Sequence, residues 1–124
     1  MTIIFTFLSL LFGLFSGLVL NNYSGAQAQA GDVERKNDIN SIYQKLEEHF
    51  NEYGEYPTVD ELVLNSEENL PGIDQEVFID PNGKWIQQGD YLYSPTGCTA
   101  IGCASYELSA LLEDSTQYTK TALN

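Results

Sequence analysis

The chain has 124 residues, enough for one domain, and 18 acidic residues against 5 basic ones give a formal net charge of −13. This excess of carboxylates excludes a nucleic-acid-binding surface, because phosphate binding requires clustered lysine and arginine. We therefore expect no nucleic-acid partner. The acidity is typical of a solvated surface, and the alternative is a face that meets cations or basic partners.

The N-terminal segment from Ile3 to Leu20 contains no charged residue. In a helix these residues would extend about 27 Å, close to the thickness of the hydrocarbon core of a bilayer. We therefore assign residues 1–31 to a hydrophobic N-terminal helix and its junction. Residues 32–124 form a separate head.

The apolar segment is compatible with three uses: a membrane tether, a rod packed into an assembly, or a signal peptide. The small residues Ala26, Ala28 and Ala30 satisfy the small-x-small rule of signal peptidase. Cleavage after Ala28 or Ala30 would release a secreted soluble binding module. Retention of the segment would leave the head attached to it.

An amphipathic helix is predicted from Asp32 to Tyr53, because apolar residues recur there at helical spacing. Gly54 is the predicted C-cap, and Pro57 prevents continuation of the helix. The apolar stripe consists of Ile39, Ile42, Tyr43, Leu46, Phe50 and Tyr53. The opposite, solvent-facing side is predicted to carry Asp38, Lys45, Glu47, Glu48 and Glu52.

The residues that follow this helix predict short elements. Thr58 and Glu61 form a capping-box pattern that opens a short helix through Leu64. Residues 65–72 are predicted as a polar loop. The apolar segment 73–79 is ambiguous between helix and strand.

The C-terminal part predicts an antiparallel meander between about residues 85 and 123. Turn signals occur at Asp80-Pro-Asn-Gly83 and at Ser94-Pro-Thr-Gly97. Tyr106 and Leu108 alternate on one face of the second strand and should pack on the helical stripe. The strands are expected at 85–93, 104–112 and 117–123. The fold class is thus α+β, a long N-terminal helix with an apolar first half and an amphipathic second half packed on a small antiparallel sheet.

The cysteines Cys98 and Cys103 and the single histidine, His49, cannot complete a four-ligand zinc site without carboxylates. In a chain with an export or anchoring segment, a disulfide between Cys98 and Cys103 is the natural interpretation, and the alternative is two reduced thiols. The loop is short, so the bond is a local staple worth about 2 kcal/mol. His49 has no nucleophile near it in sequence and is interpreted as a packing or solvated residue.

Several segments of the chain together match the pattern of a known family. The apolar segment leads into Val33-Glu-Arg-Lys-Asn-Asp-Ile-Asn-Ser-Ile-Tyr43 and then into Tyr53-Gly-Glu-Tyr-Pro57. Asp80-Pro-Asn-Gly83, a tyrosine-rich strand and a close cysteine pair follow. In these features the sequence resembles the type IV pilin-like proteins of bacteria, which include major and minor pilins and the pseudopilins of type II secretion.

The resemblance implies one long N-terminal helix, whose first half lies in the membrane before assembly and in the filament core afterwards. It implies a non-enzymatic subunit whose partners are other pilin-like subunits, bound through the N-terminal helix. The expected location is a membrane anchored by that single helix, with the head outside the cytoplasm, at the cell surface or in a pilus. The sequence departs from the family's entry motif, since no basic residue precedes Arg35 and no carboxylate precedes Asp32. Processing by a prepilin peptidase is therefore not implied.

Asp80, Asn82 and Asp90 are candidate calcium ligands. They lie on predicted turns near the sheet, and oxygen ligands on loops suit calcium. The resemblance adds to this hypothesis, because some pseudopilins hold calcium in a C-terminal loop. The alternative is that these residues were selected as turn formers. No other cofactor is expected.

Overall fold

The computed structural model describes the backbone of residues 2–124 and the side chains of residues 25–124. The fold is α+β, one long helix followed by short helices and a three-stranded antiparallel sheet. The helices are α1 (Thr2–Tyr53), α2 (Val59–Leu64), α3 (Ser66–Asn69) and a 3₁₀ helix (Gln75–Phe78). The strands are β1 (Tyr91–Thr96), β2 (Ser105–Leu111) and β3 (Gln117–Thr121).

The chain divides into two compact units, Met1–Gly31 and Asp32–Asn124. Within the part whose side chains are described, no helix combines the length and the apolar character needed to cross a bilayer. The side chains of the predicted apolar segment Ile3–Leu20 are not among those described.

The predicted end of the long helix at Tyr53 is confirmed. Gly54 has a φ of 78°, a conformation that side-chain-bearing residues rarely adopt, and its N–H donates to the carbonyl of Phe50 at 2.7 Å. The chain then turns back, and the carbonyl of Pro57 accepts a hydrogen bond from the Tyr93 hydroxyl at 2.7 Å. The turn after α1 is thereby bound to the sheet.

The capping pattern before α2 is also confirmed, since the hydroxyl of Thr58 accepts the N–H of Glu61 at 3.2 Å. The prediction of a polar loop over 65–72 is wrong, because Ser66–Asn69 forms α3. The ambiguous segment 73–79 contains the 3₁₀ helix, capped by Asp74 through the N–H of Glu76 at 3.0 Å.

The sheet has β2 at its centre, with β1 and β3 as antiparallel edges. The second and third predicted strands occur where expected. The first contains the predicted Tyr91, Leu92 and Tyr93, but its bounds are wrong, because residues 85–90 are not in a strand and β1 extends through the predicted turn to Thr96. β1 begins at Tyr91 and runs through Pro95, which lies opposite Tyr106. Proline is tolerated there because an edge strand has outward positions that need no ladder N–H.

The core lies between the C-terminal part of α1 and the inner face of the sheet. Fully buried side chains include Ile39, Ile42, Leu46, Tyr91, Tyr93, Tyr106, Leu108 and Ala110. Tyr53 is the exception in the predicted stripe, with an exposed fraction of 55%. It lies in the last turn of α1 and packs against the ring of His49 at a centroid distance of 4.7 Å.

The disulfide between Cys98 and Cys103 is confirmed. It closes part of the connection between β1 and β2. Cys103 is buried and its N–H and C=O both pair with the backbone of Tyr56 at 2.8 Å. Gly102 permits this approach, since a Cβ there would lie 3.0 Å from the carbonyl oxygen of Tyr56 and closer still to the side chain of Glu55.

Replacing Cys98 with serine should lower the free energy of unfolding by about 1–3 kcal/mol without preventing folding, because the closed loop is short. A denaturant titration of the full-length chain under oxidising conditions measures the change. Adding a reductant to the wild type should give a similar loss and should leave the Cys98→Ser variant unaffected. Two free thiols in the chain purified under oxidising conditions, found by mass spectrometry, would contradict the bond.

Candidate functional site

The central polar feature of the head is a carboxylate buried where α1 meets the sheet. Glu47 has an exposed fraction of 8%. Its carboxylate accepts the hydroxyl of Tyr56 at 2.9 Å and the hydroxyl of Tyr106 at 2.8 Å. The backbone N–H of Leu123 and the amide of Asn124 approach it at 3.3 and 3.4 Å. We call this set the Glu47 cluster.

No ion pair among the described side chains includes Glu47. Its stabilisation comes from neutral donors, and hydrogen bonds to an ionised acceptor are stronger than neutral ones. Burial raises the pKa of Tyr106, and the hydrogen bond to Glu47 raises it further. Burial also raises the pKa of Tyr56. Both hydroxyls therefore remain protonated donors at neutral pH.

The prediction that Glu47 lies on the solvent-facing side of the helix is wrong. Position 47 follows Tyr43 by four residues and precedes Phe50 by three, so it shares a side of the helix with both. The turn after α1, which contains Tyr56, and β2 cover that side. The buried surface of α1 is thus wider than the apolar stripe alone.

A second polar contact joins the N-terminal end of the head's helical segment to two loops. Arg35 has an exposed fraction of 2%. Its guanidinium pairs with Asp32 at 3.1 Å, with Asp90 at 3.1 Å and with Glu113 at 3.3 Å. Asp90 directly precedes β1, and Glu113 lies between β2 and β3. One buried cation therefore holds α1 to both connections.

The prediction that Asp38 lies on the solvent-facing side of the helix is also wrong. It is partly buried, and its carboxylate accepts the hydroxyl of Tyr91 at 2.7 Å. Burial raises the pKa of Asp38 from 3.8 to about 6; the bond from Tyr91 opposes this shift, and the charges of Glu34 and Asp74 add to it.

Because the pKa of Asp38 is higher in the folded state, the folded chain holds this proton more tightly than the unfolded one. Binding of this proton by Asp38 stabilises the folded state fully below about pH 4, and this stabilisation is lost as the pH rises to about 6. Asp38→Asn, which keeps an oxygen for Tyr91, should therefore be more stable than the wild type at pH 7. Its unfolding free energy should depend less on pH between 4 and 6. The matched control is Glu107→Gln on the exposed face of β2; an equal gain there would contradict the assignment.

The three calcium candidates are brought together as a hydrogen-bonded turn. One oxygen of the buried Asp80 carboxylate accepts the N–H groups of Asn82 and Lys84 at 2.9 and 3.0 Å, and the other accepts the N–H of Asp90 at 2.8 Å. Asn82 donates to Asp90 at 3.0 Å, and Arg35 occupies the same Asp90 oxygen. A cation would compete with these donors. Within the part of the chain that the structure describes, no group of three or more His, Cys, Asp and Glu is arranged to hold a metal ion.

His49 is buried beside the helix end. Its Nδ1 donates to the carbonyl of Glu55 at 2.9 Å, so the ring binds the turn after α1.

A cavity of about 450 Å³ lies between α2, α3 and Trp85, and Glu67 and Glu68 contribute to its walls. Its lining offers no nucleophile paired with a base.

Sequence reasoning missed Glu47, Asp38 and Arg35 as structural centres. For Glu47 and Asp38 a signal lay in the 8 tyrosines of the chain. Buried tyrosine hydroxyls require acceptors, and carboxylates on the facing helix provide them.

Comparisons of the chain with protein-family models, with curated proteins and with solved structures found no match.

Proposed function

We propose that the chain is a non-enzymatic structural subunit, a pilin, minor pilin or pseudopilin, of a type IV pilus-like filament or a secretion pseudopilus. The observation that carries the proposal is the order of elements. A helix of 52 residues opens the chain, and a three-stranded antiparallel sheet ends it. Such a helix is several times longer than the mean of about 12 residues in globular proteins.

In this proposal the apolar segment Ile3–Leu20 is the first half of the helix. It lies in the membrane before assembly and in the filament core afterwards, where it packs on the helices of other subunits. The amphipathic second half, from Asp32 to Tyr53, carries the head. Apolar burial is similar in membrane and filament, so helix packing and neighbour contacts decide the transfer.

The Glu47 cluster supports this assignment. Bonds from Tyr56, Tyr106 and the segment after β3 converge on one carboxylate of α1. Arg35 adds three ion pairs nearer the N-terminal side. The sheet therefore cannot shift on the segment 32–53 of α1 without breaking several polar bonds. The proposal requires such a firm attachment, because in it the helix carries the head.

The proposed location is a membrane anchored by one helix, with the head outside the cytoplasm, at the cell surface or in a pilus. The Cys98–Cys103 disulfide supports an oxidising compartment. The net charge of −13 suits a head that remains solvated.

The competing function is a secreted binding module released by signal peptidase near Ala28 or Ala30. The test compares the wild type with an Ala28→Leu/Ala30→Leu double variant, which removes the small residues that the peptidase requires. Both chains are expressed at full length in a bacterium, and intact masses are measured in membrane and medium fractions. We expect both chains in the membrane or sheared-filament fraction with Ile3–Leu20 retained. A wild-type chain in the medium that begins at Gln29 or Gly31, with the double variant retained, would contradict the proposal.

A further inference from the structure

The two edges of the sheet differ in whether their backbone groups are satisfied. On β1 the side-chain amide of Gln87 donates to the carbonyl of Tyr93 at 2.8 Å and accepts its N–H at 2.7 Å. The N–H of Gln87 donates to the carbonyl of Tyr91 at 2.9 Å. Pro95, the next outward residue, has no N–H. The β1 edge is thus closed to another strand.

The β3 edge is open. In an antiparallel pair, alternate residues bond to the neighbouring strand and the residues between them point their N–H and C=O groups away. The bond from the N–H of Ala122 to the carbonyl of Tyr106 fixes this alternation, so Tyr118 and Lys120 bond to β2. The outward residues of β3 are therefore Gln117, Thr119 and Thr121.

These three outward residues are exposed, and among the described residues nothing pairs with their backbone groups. The strand has no proline, glycine or bulge, and its sequence Gln-Tyr-Thr-Lys-Thr favours extended structure. An exposed edge of this kind is a template for strand addition.

Two lysines lie beside this edge, although the chain as a whole is acidic. The ammonium of Lys120 lies 5.7 Å from the ring centroid of Tyr118, and that of Lys36 lies 5.8 Å from it. Neither lysine belongs to the ion pairs seen among the described side chains. No acidic residue occurs from Ser115 to Asn124.

We propose that the β3 edge binds an extended acidic segment of a partner protein, which adds as an antiparallel fourth strand. The outward N–H and C=O groups of β3 supply the backbone bonds. Lys120 selects a carboxylate at the position opposite it, since cross-strand pairs of opposite charge are favourable and like charges are not. Lys36, on α1 beside the Tyr118 ring, adds a second positive charge near this position. This binding does not depend on the proposed filament function.

The test uses the full-length chain in detergent micelles and two blocked peptides, Thr-Glu-Thr-Glu-Thr-Glu-Thr and the same sequence with lysine for glutamate. Amide chemical shifts in NMR titrations report binding. We expect the acidic peptide to shift the amides of Gln117, Thr119 and Thr121 and to bind about five-fold more tightly than the basic one. Lys120→Glu should reverse that preference, and the exposed Lys84→Glu control should leave it unchanged.

Thr119→Pro removes an outward N–H without breaking the β2–β3 ladder, so it should abolish peptide binding while the remaining amide spectrum stays folded. An acidic peptide methylated at its backbone nitrogens tests the same bonds without changing the protein, and it should not bind.

Binding that survives both changes, or equal binding of the two charged peptides, would overturn the proposal. So would a dimer in light scattering that Thr119→Pro dissociates, because the edge would then hold a second copy of the chain. If Lys120 serves only to prevent strand addition, Lys120→Glu would increase self-association without weakening the acidic peptide, which also overturns it.

Discussion

Replacing Glu47 with alanine should lower the free energy of unfolding by about 2–6 kcal/mol. The change leaves the hydroxyls of Tyr56 and Tyr106 without their acceptor in a buried site, and each unsatisfied buried donor costs about 1–3 kcal/mol. Urea titration of the full-length chain, followed by the fluorescence of its single tryptophan, Trp85, measures the loss.

The adjacent residue provides the matched control. Glu48 is exposed and pairs with Lys45 at 3.1 Å, so Glu48→Ala should change stability by less than about 1 kcal/mol. Glu47→Gln keeps the size of the side chain but removes its charge, and it should give an intermediate loss. Equal effects of Glu47→Ala and Glu48→Ala would mean that the Glu47 carboxylate is solvated and that α1 is oriented differently.

Replacing Leu46 with alanine should destabilise the head by about 2–5 kcal/mol. Leu46 is fully buried among the apolar side chains that face the sheet, and its truncation leaves a cavity as well as removing transfer free energy. Because this core joins the helix to the sheet, the variant should also display less folded head on any assembled filament.

Leu64 offers the comparison for this second variant. It is also a helical leucine, but its exposed fraction is 74%, so Leu64→Ala should change stability by less than about 0.5 kcal/mol. Both variants are measured by the same titration, with the denaturant slope checked for constancy. A loss at Leu64 equal to that at Leu46 would place the core elsewhere.

The features that could be predicted from the sequence are those specified by local chemistry. Gly54 ends α1 because only a residue without a side chain readily takes its φ, and Thr58 begins α2 because its hydroxyl satisfies a free N–H. The alternation of Tyr106 and Leu108 likewise indicated a strand with one buried face. Each of these signals acts within a few residues of the chain.

The features that could not be predicted depend on contacts between distant residues. Glu47 is buried because hydroxyls from Tyr56 and Tyr106 reach it, and the latter is 59 positions away. Pro95 signalled a turn, yet it lies within β1 because that strand is an edge. The local sequence around a residue does not specify which distant acceptor a tyrosine hydroxyl will bind, nor whether a strand lies at the edge or the centre of its sheet.

The most direct test of the proposed function is whether the chain is part of surface filaments through its apolar segment. Filaments are sheared from cells, pelleted and labelled with antibodies to the head, for the wild type, for Leu14→Arg and for the Ser16→Ala control. A charge in the middle of the segment opposes burial by about 2.5–3.5 kcal/mol, so Leu14→Arg should remove the chain from the pellet while Ser16→Ala keeps it. A pellet that retains Leu14→Arg, or a wild-type chain found only as a soluble monomer, would contradict the account.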